Sequence, residues 1–140
     1  MVNQQFATAV HILTALACNK KELMNSDSLA TSVNTNPVVI RRLLSQLTKA
    51  KLVATARGKA GGVRLAKEPV QISLKDIYLA LSPTESIAPR TKSPHKECAV
   101  SCAMHSIMTT VADGTQKAML KYLETQRLSD LSKKIIKTNV

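Results

Sequence analysis

Apolar residues recur at steps of three and four between Asn3 and Lys20. Phe6, Ala9, Val10, Leu13, Leu16 and Ala17 form one stripe, which predicts an amphipathic helix ended by Asn19-Lys20-Lys21. Ser26 can cap a short second helix running through Leu29, Ala30 and Val33. Asn36 and Pro37 then open the most patterned segment, from Pro37 to about Ala50. An Asn side chain can accept from the orphan amides of a first turn, and Pro loses nothing at the first helical position. Ile40, Leu43, Leu44 and Leu47 fall at i, i+3, i+4 and i+7, while Val38, Arg41, Arg42, Ser45 and Lys49 occupy the opposite face. One side suits a core and the other suits phosphates and base edges. Two helices joined by a short turn, the second basic, predict a helix-turn-helix.

Strand-like runs follow at Leu52–Ala56 and Val63–Ala66, around the basic turn Arg57-Gly-Lys-Ala-Gly-Gly62. This predicts a β-hairpin whose three glycines allow positive φ and close approach of the backbone. A nucleotide-phosphate loop is the rival, but no lysine-Ser/Thr pair follows the glycines and the next segment is strand-like. Ser73 and Asp76 form a capping box for a further helix with Leu74, Ile77, Tyr78 and Leu81 inward. Pro83, Pro89 and Pro94 mark a linker over residues 83–97. A long helix is expected from about Cys98 to Arg127, weakened at Gly114. Its seam of Met104, Met108, Val111, Thr115, Ala118 and Tyr122 alternates steps of four and three. Such a helix has little of its own chain to bury against, so a second subunit is the expected acceptor. The tail from Leu128 is expected to add a turn or a short helix capped by Ser129. The fold class is thus mostly α with a small β-hairpin wing: a winged helix-turn-helix domain over 1–82, a linker, and a dimerisation helix with tail over 98–140.

Charge sharpens this picture. The net charge is +11, and no acidic residue occurs from Ser28 to Lys67, where Arg41, Arg42, Lys49, Lys51, Arg57, Lys59, Arg64 and Lys67 stand. A one-sign field of this kind favours a polyanion, because each neutralised phosphate releases condensed counterions. A membrane surface fits less well, since no basic helix carries a Trp/Phe face. Aromatics are limited to Phe6, Tyr78 and Tyr122, so the core must be aliphatic. No run approaches the ~20 apolar residues of a membrane span. The N-terminus lacks a signal-peptide layout, and a cytoplasmic protein is expected.

These residues resemble the Rrf2 family of bacterial regulators, whose members include sensors of iron–sulfur status, nitric oxide and cysteine metabolism. The likeness rests on Phe6 to Ala17, the Asn34–Leu47 segment, Arg57-Gly58-x-x-Gly61-Gly62-x-x-Leu65-Ala66 and Ile72-Ser73-Leu74-x-Asp76-Ile77. Ser32 to Arg42 and the Cys98-Ala-Val segment are further similar to the YwnA-like branch. The resemblance implies a dimer held by the long helix, a recognition helix in the major groove and the wing tip in the adjacent minor groove. Carried over by position, Asn36, Val38, Val39, Arg41, Arg42 and Ser45 face the major groove, and Arg57 and Gly58 enter the minor groove. Lys49 and Lys59 extend the same basic surface. Arg41 and Arg42 could read guanine or clamp phosphates.

Family members that hold an iron–sulfur cluster carry three cysteines after the linker, usually five residues apart. Here only Cys98 and Cys102 stand there, three residues separate them, and Met104 sits where a five-residue gap would put a thiolate. A cluster is therefore not expected. Cys98, Cys102 and His105 share one helix face and could ligate zinc or copper, with His95 as a fourth donor, but no second ligand pair stands nearby. No metal or other cofactor is therefore expected. A thiol switch is the sharper reading, since Lys96 and a helix start would both favour the Cys98 thiolate. The plainer reading is that these are ordinary small side chains. His11, on the polar side of the first helix, reads as a surface or interface residue.

A sequence-specific repressor or activator, with repression preferred, is the leading function. A winged-helix module docking an acidic protein is the alternative. An enzyme is disfavoured, because acidic residues are sparse and no nucleophile–base–acid set accompanies a pocket-forming pattern.

Overall fold

A computed structural model describes residues 4–20, 22–58, 61–81 and 97–138. Helix α1 (Gln4–Cys18) is followed by α2 (Ser26–Val33) and α3 (Pro37–Lys49). Strands β1 (Val53–Ala56) and β2 (Gly62–Leu65) come next, then a 3-10 turn over Pro69–Gln71. Helices α4 (Leu74–Ala80), α5 (Ala99–Thr125) and α6 (Leu128–Thr138) complete the order. The expected linker at 83–97 falls, except for Glu97, outside the described residues.

Helix α1 is the central post, packed by α2, α4, β2 and α6. Being enclosed on several sides, it buries more than one stripe: Ile12 is fully buried, and Val10 sits only at the core's edge. The few aromatics meet here, with Phe6 and Tyr78 edge to face at 5.8 Å between ring centres. The cap of α2 is Asn25 rather than Ser26, because the extended backbone at Asn25 lets its side chain accept from Ser28 N at 2.8 Å. Asn34 ends α2 in the left-handed conformation with φ 63°, a state that Asn tolerates. Asn36 then caps α3, accepting from Val38 N at 2.8 Å, with Pro37 in the first turn. The left-handed backbone at Lys51, φ 62°, turns the chain out of α3 into β1.

The hairpin pairs Val53 with Leu65 and Ala56 with Gly62. Met24 adds a third, one-residue rung: Met24 N donates to Val63 O at 3.1 Å and Val63 N to Met24 O at 2.8 Å. The wing is thereby bonded to the segment that leads into α2. Only Gly58 uses positive φ (111°); Gly61 and Gly62 are needed for a different reason. A Cβ at Gly61 would strike the backbone oxygen of Ala56, and one at Gly62 would lie 2.7 Å from that of Met24. What those two glycines let the backbone approach is the protein itself.

The Ser73–Asp76 capping box opens α4 at 3.1 and 3.0 Å. Helix α5 starts at the cap residue Cys98 and runs unbroken through Gly114. The tail after it forms α6, the helix of the two expected alternatives, and Ser129 lies inside its first turn rather than at its cap. The chain between α5 and α6 is fastened by two backbone bonds of 2.9 Å, Leu74 N to Gln126 O and Leu128 N to Ile72 O. Leu128 is fully buried, and α6 packs along α1 and the 3-10 turn. Leu128→Ala should therefore cost about 2–5 kcal/mol in urea unfolding. Ile136→Ala, at an exposed site on the same helix, should stay within about 0.5 kcal/mol.

Candidate nucleic-acid interface

Burial of Ile40, Leu43, Leu44 and Leu47 sets the rotation of α3, and Val38, Val39, Arg41, Arg42, Ser45 and Lys49 all come out exposed on the other side. Asn36, also exposed, spends its carbonyl oxygen on the cap, so its amide N–H groups are what it can offer outward. Arg41 lies back along its helix, with Nε donating to Pro37 O at 3.4 Å. It thereby lines a groove of about 540 Å³ between α3 and the hairpin. Ser45, Lys49, Thr48, Thr55, Asn25 and Ser26 share that groove.

The last four were missed at the level of sequence. Thr48 was legible, falling three positions after Ser45 on the outward face. Thr55 was not, because which face of β1 is exposed depends on the register with β2. Asn25 and Ser26 arrive through the Met24–Val63 rung, a contact that no local pattern announces.

At the wing tip Arg57 is exposed, and the turn is closed by Gly61 N donating to Gly58 O at 2.9 Å. Lys59 lies outside the described residues. Among those described, the ion pairs Lys20–Glu68 (3.5 Å) and Lys75–Glu124 (3.7 Å) involve none of the α3 or wing cations. The positive field of this surface is thus left for a partner.

A second surface runs along α5. Met104, Val111 and Tyr122 are 38%, 48% and 64% exposed, Ala118 is exposed, and Met108 and Thr115 are half-buried. Val100 and Ile107 extend this apolar strip at steps of four and three, and the expected seam omitted both. Only at its far end does α5 enter the core, through Leu123, Met119 and Leu120.

Residues 2–134 match the Rrf2 family, described as "Iron-dependent Transcriptional regulator". The chain belongs to the Rrf2 family. YwnA of Bacillus subtilis, which carries the name of an HTH-type transcriptional regulator, is 34% identical over 94% of this chain and 96% of its own. A structure described as a transcriptional regulator from Lactobacillus plantarum is 28% identical, with a TM-score of 0.79 over 94% of this chain and 89% of that one. IscR of T. potens shares the fold at 22% identity, with a TM-score of 0.75 over 100% of this chain and 91% of that one. This Rrf2 chain is accordingly a DNA-binding transcriptional regulator of winged-helix architecture, and such regulators are not a class of enzyme. Among the described residues no helix is long and apolar enough to cross a membrane.

The family's description invites a test for iron, and the donors of this Rrf2 chain do not fit it. Cys98 is the exposed cap of α5, its Sγ accepting from Ser101 N at 3.4 Å, and Cys102 is exposed one turn on. Cys18 lies half-buried at the end of α1, and all three cysteines are thiols. Among the described residues no three His, Cys, Asp or Glu side chains gather as a metal site, the Cys98–Cys102–His105 face included. His95 and Lys96 lie outside the described residues. His11 is a surface residue with a structural task, its Nε2 standing 2.9 Å from Ser32 Oγ across α1 and α2.

Proposed function

We propose that two copies of this chain bind a palindromic operator and repress transcription from it. The observation that carries the reading is the uncompensated basic face of α3 lying beside a wing on the same groove. In this reading α3 enters the major groove. Arg41 lies along the phosphates with Lys49, Thr48 and Thr55, while Arg42 and Asn36 are placed for base edges. Val38 and Val39, exposed apolar side chains at the helix start, suit thymine methyl groups. Arg57, carried on the Gly58 turn with Lys59 next in sequence, reads a narrow, electronegative minor groove.

The apolar strip on α5 supports the homodimer, since large uncovered side chains on a helix normally mark an interface. A two-fold axis along that strip would set the half-sites about one helical turn, ~34–36 Å, apart. Exposed thiols at Cys98 and Cys102, beside that strip, fit a response to oxidant. On that reading peroxide should change operator affinity in the wild type but leave Cys98→Ser unaffected in the same gel-shift assay. Arg57→Ala should weaken operator binding by about 1–3 kcal/mol, more on A·T-flanked than G·C-flanked sites, with the thermal unfolding curve unmoved. Unchanged affinity would remove the wing from the interface. Met108→Glu with Val111→Glu should yield monomers by light scattering and lower operator affinity with them. A double variant that remains dimeric would place the interface elsewhere.

A further inference from the structure

Side chains alternate between the two faces of a hairpin, and residues directly opposite one another share a face. Thr55 pairs with Val63, and both line the groove against α3. The neighbouring pair, Ala54 and Arg64, therefore belongs to the other face, the one turned away from α3. Arg64 is exposed there, and so is Lys67 just beyond the strand. The two border one cleft of about 310 Å³ at the base of the wing. Glu68 is the acid among its described lining residues, and its carboxylate stands 3.5 Å from Lys20 Nζ. Among the described residues neither Arg64 nor Lys67 enters an ion pair. The outer face of the wing thus carries two positive charges that Glu68, already paired, does not neutralise.

The double helix offers a matching geometry. Along its axis a major groove is followed by one backbone, then a minor groove, then the other backbone. With α3 in the major groove and Arg57 in the adjacent minor groove, the first backbone runs between α3 and the Thr55 face. The second borders the same minor groove on the side of Arg64 and Lys67. That groove is only about 6 Å wide, so a hairpin seated in it comes near both strands. A small anion suits the cleft less well. Every polar residue lining it is exposed, so it lacks an enclosed group to hold a compact ligand. A polyanion needs only cations set along a surface.

We propose that the outer face of the hairpin is a second backbone-binding surface, on which Arg64 and Lys67 hold the phosphates across the minor groove that Arg57 enters. The wing is then gripped by both strands. The inference rests on the DNA reading above and adds to it the strand that α3 does not reach.

The test uses the full chain and an operator duplex in which uncharged methylphosphonates replace the phosphates one position at a time. For the wild type, replacements on both backbones bordering the Arg57 minor groove should weaken binding. For Arg64→Ala with Lys67→Ala, those on the backbone away from α3 should cease to matter, and those on the nearer backbone should weaken binding as before. Lys49→Ala should show the opposite pattern. The slope of log affinity against log salt should shrink by about two in the paired Ala variant. The ratio of wild-type to variant affinity should therefore fall about tenfold between about 50 and about 200 mM salt. Arg64→Lys with Lys67→Arg, which keeps both charges, should retain the wild-type slope. Wild-type sensitivity confined to the nearer backbone, an unaltered phosphate map in the Ala pair, or an unaltered salt slope would each overturn the proposal and leave the operator reading standing. Saturable binding of inorganic pyrophosphate that the Ala pair loses, with its salt slope unaltered, would overturn it in favour of a small anion. A wild type that binds no duplex would remove the operator reading itself, and this surface with it.

Discussion

The molecule depends on four aliphatic side chains. Ile40, Leu43, Leu44 and Leu47 are all buried, each contributing about 1.5–3 kcal/mol by leaving water, and together they lock α3 in one rotation about its axis. Turning the helix to bury Arg41 or Arg42 instead would expose this face and desolvate a guanidinium with no acid nearby to meet it. The cations are therefore displayed because the leucines are not. Everything read from the surface of α3 inherits its direction from this packing.

The other parts are held to that helix by backbone bonds. The Met24–Val63 rung fixes the wing to the entry of α2; Gly62 lets the Met24 backbone come close enough for it to form, and Gly61 lets the wing's own turn close on Ala56. At the far side the Ile72–Leu128 and Leu74–Gln126 bonds fix the end of α5 to the start of α4. A displacement of α5 would thus be passed to the wing domain through bonded backbone.

The sequence disclosed what short-range periodicity encodes. The boundaries of α3, its Asn36–Pro37 start, the Ser73–Asp76 box and the hairpin all follow from side chains within a turn or two of one another. What it hid are consequences of contacts between distant segments. Ile12 belongs to the core only because α1 is surrounded, and the start of α6 is anchored because its first residue is bonded to Ile72. Gly61 and Gly62 are required by chains that meet them, not by their own dihedral angles. Within the interface, Arg42 and Lys49 could be placed from helical spacing alone, whereas Thr55 needed the register of the hairpin and Asn25 the Met24–Val63 rung. On α5 the apolar steps of four and three were legible, but beginning the seam at Met104 lost Val100 and Ile107. The cysteines and their separation could be read from the sequence directly.

The central claim is that the exposed face of α3 meets DNA phosphates and bases. The most direct test is a titration of the DNA upstream of the chain's own gene in excess non-specific competitor, repeated over a range of salt for the wild type and Lys49→Ala. The account predicts a complex that survives competitor, with a steep fall of log affinity against log salt whose slope shrinks by about one in Lys49→Ala. A complex abolished by competitor, or an unchanged slope in Lys49→Ala, would contradict it and turn attention to an acidic protein as the partner of this face.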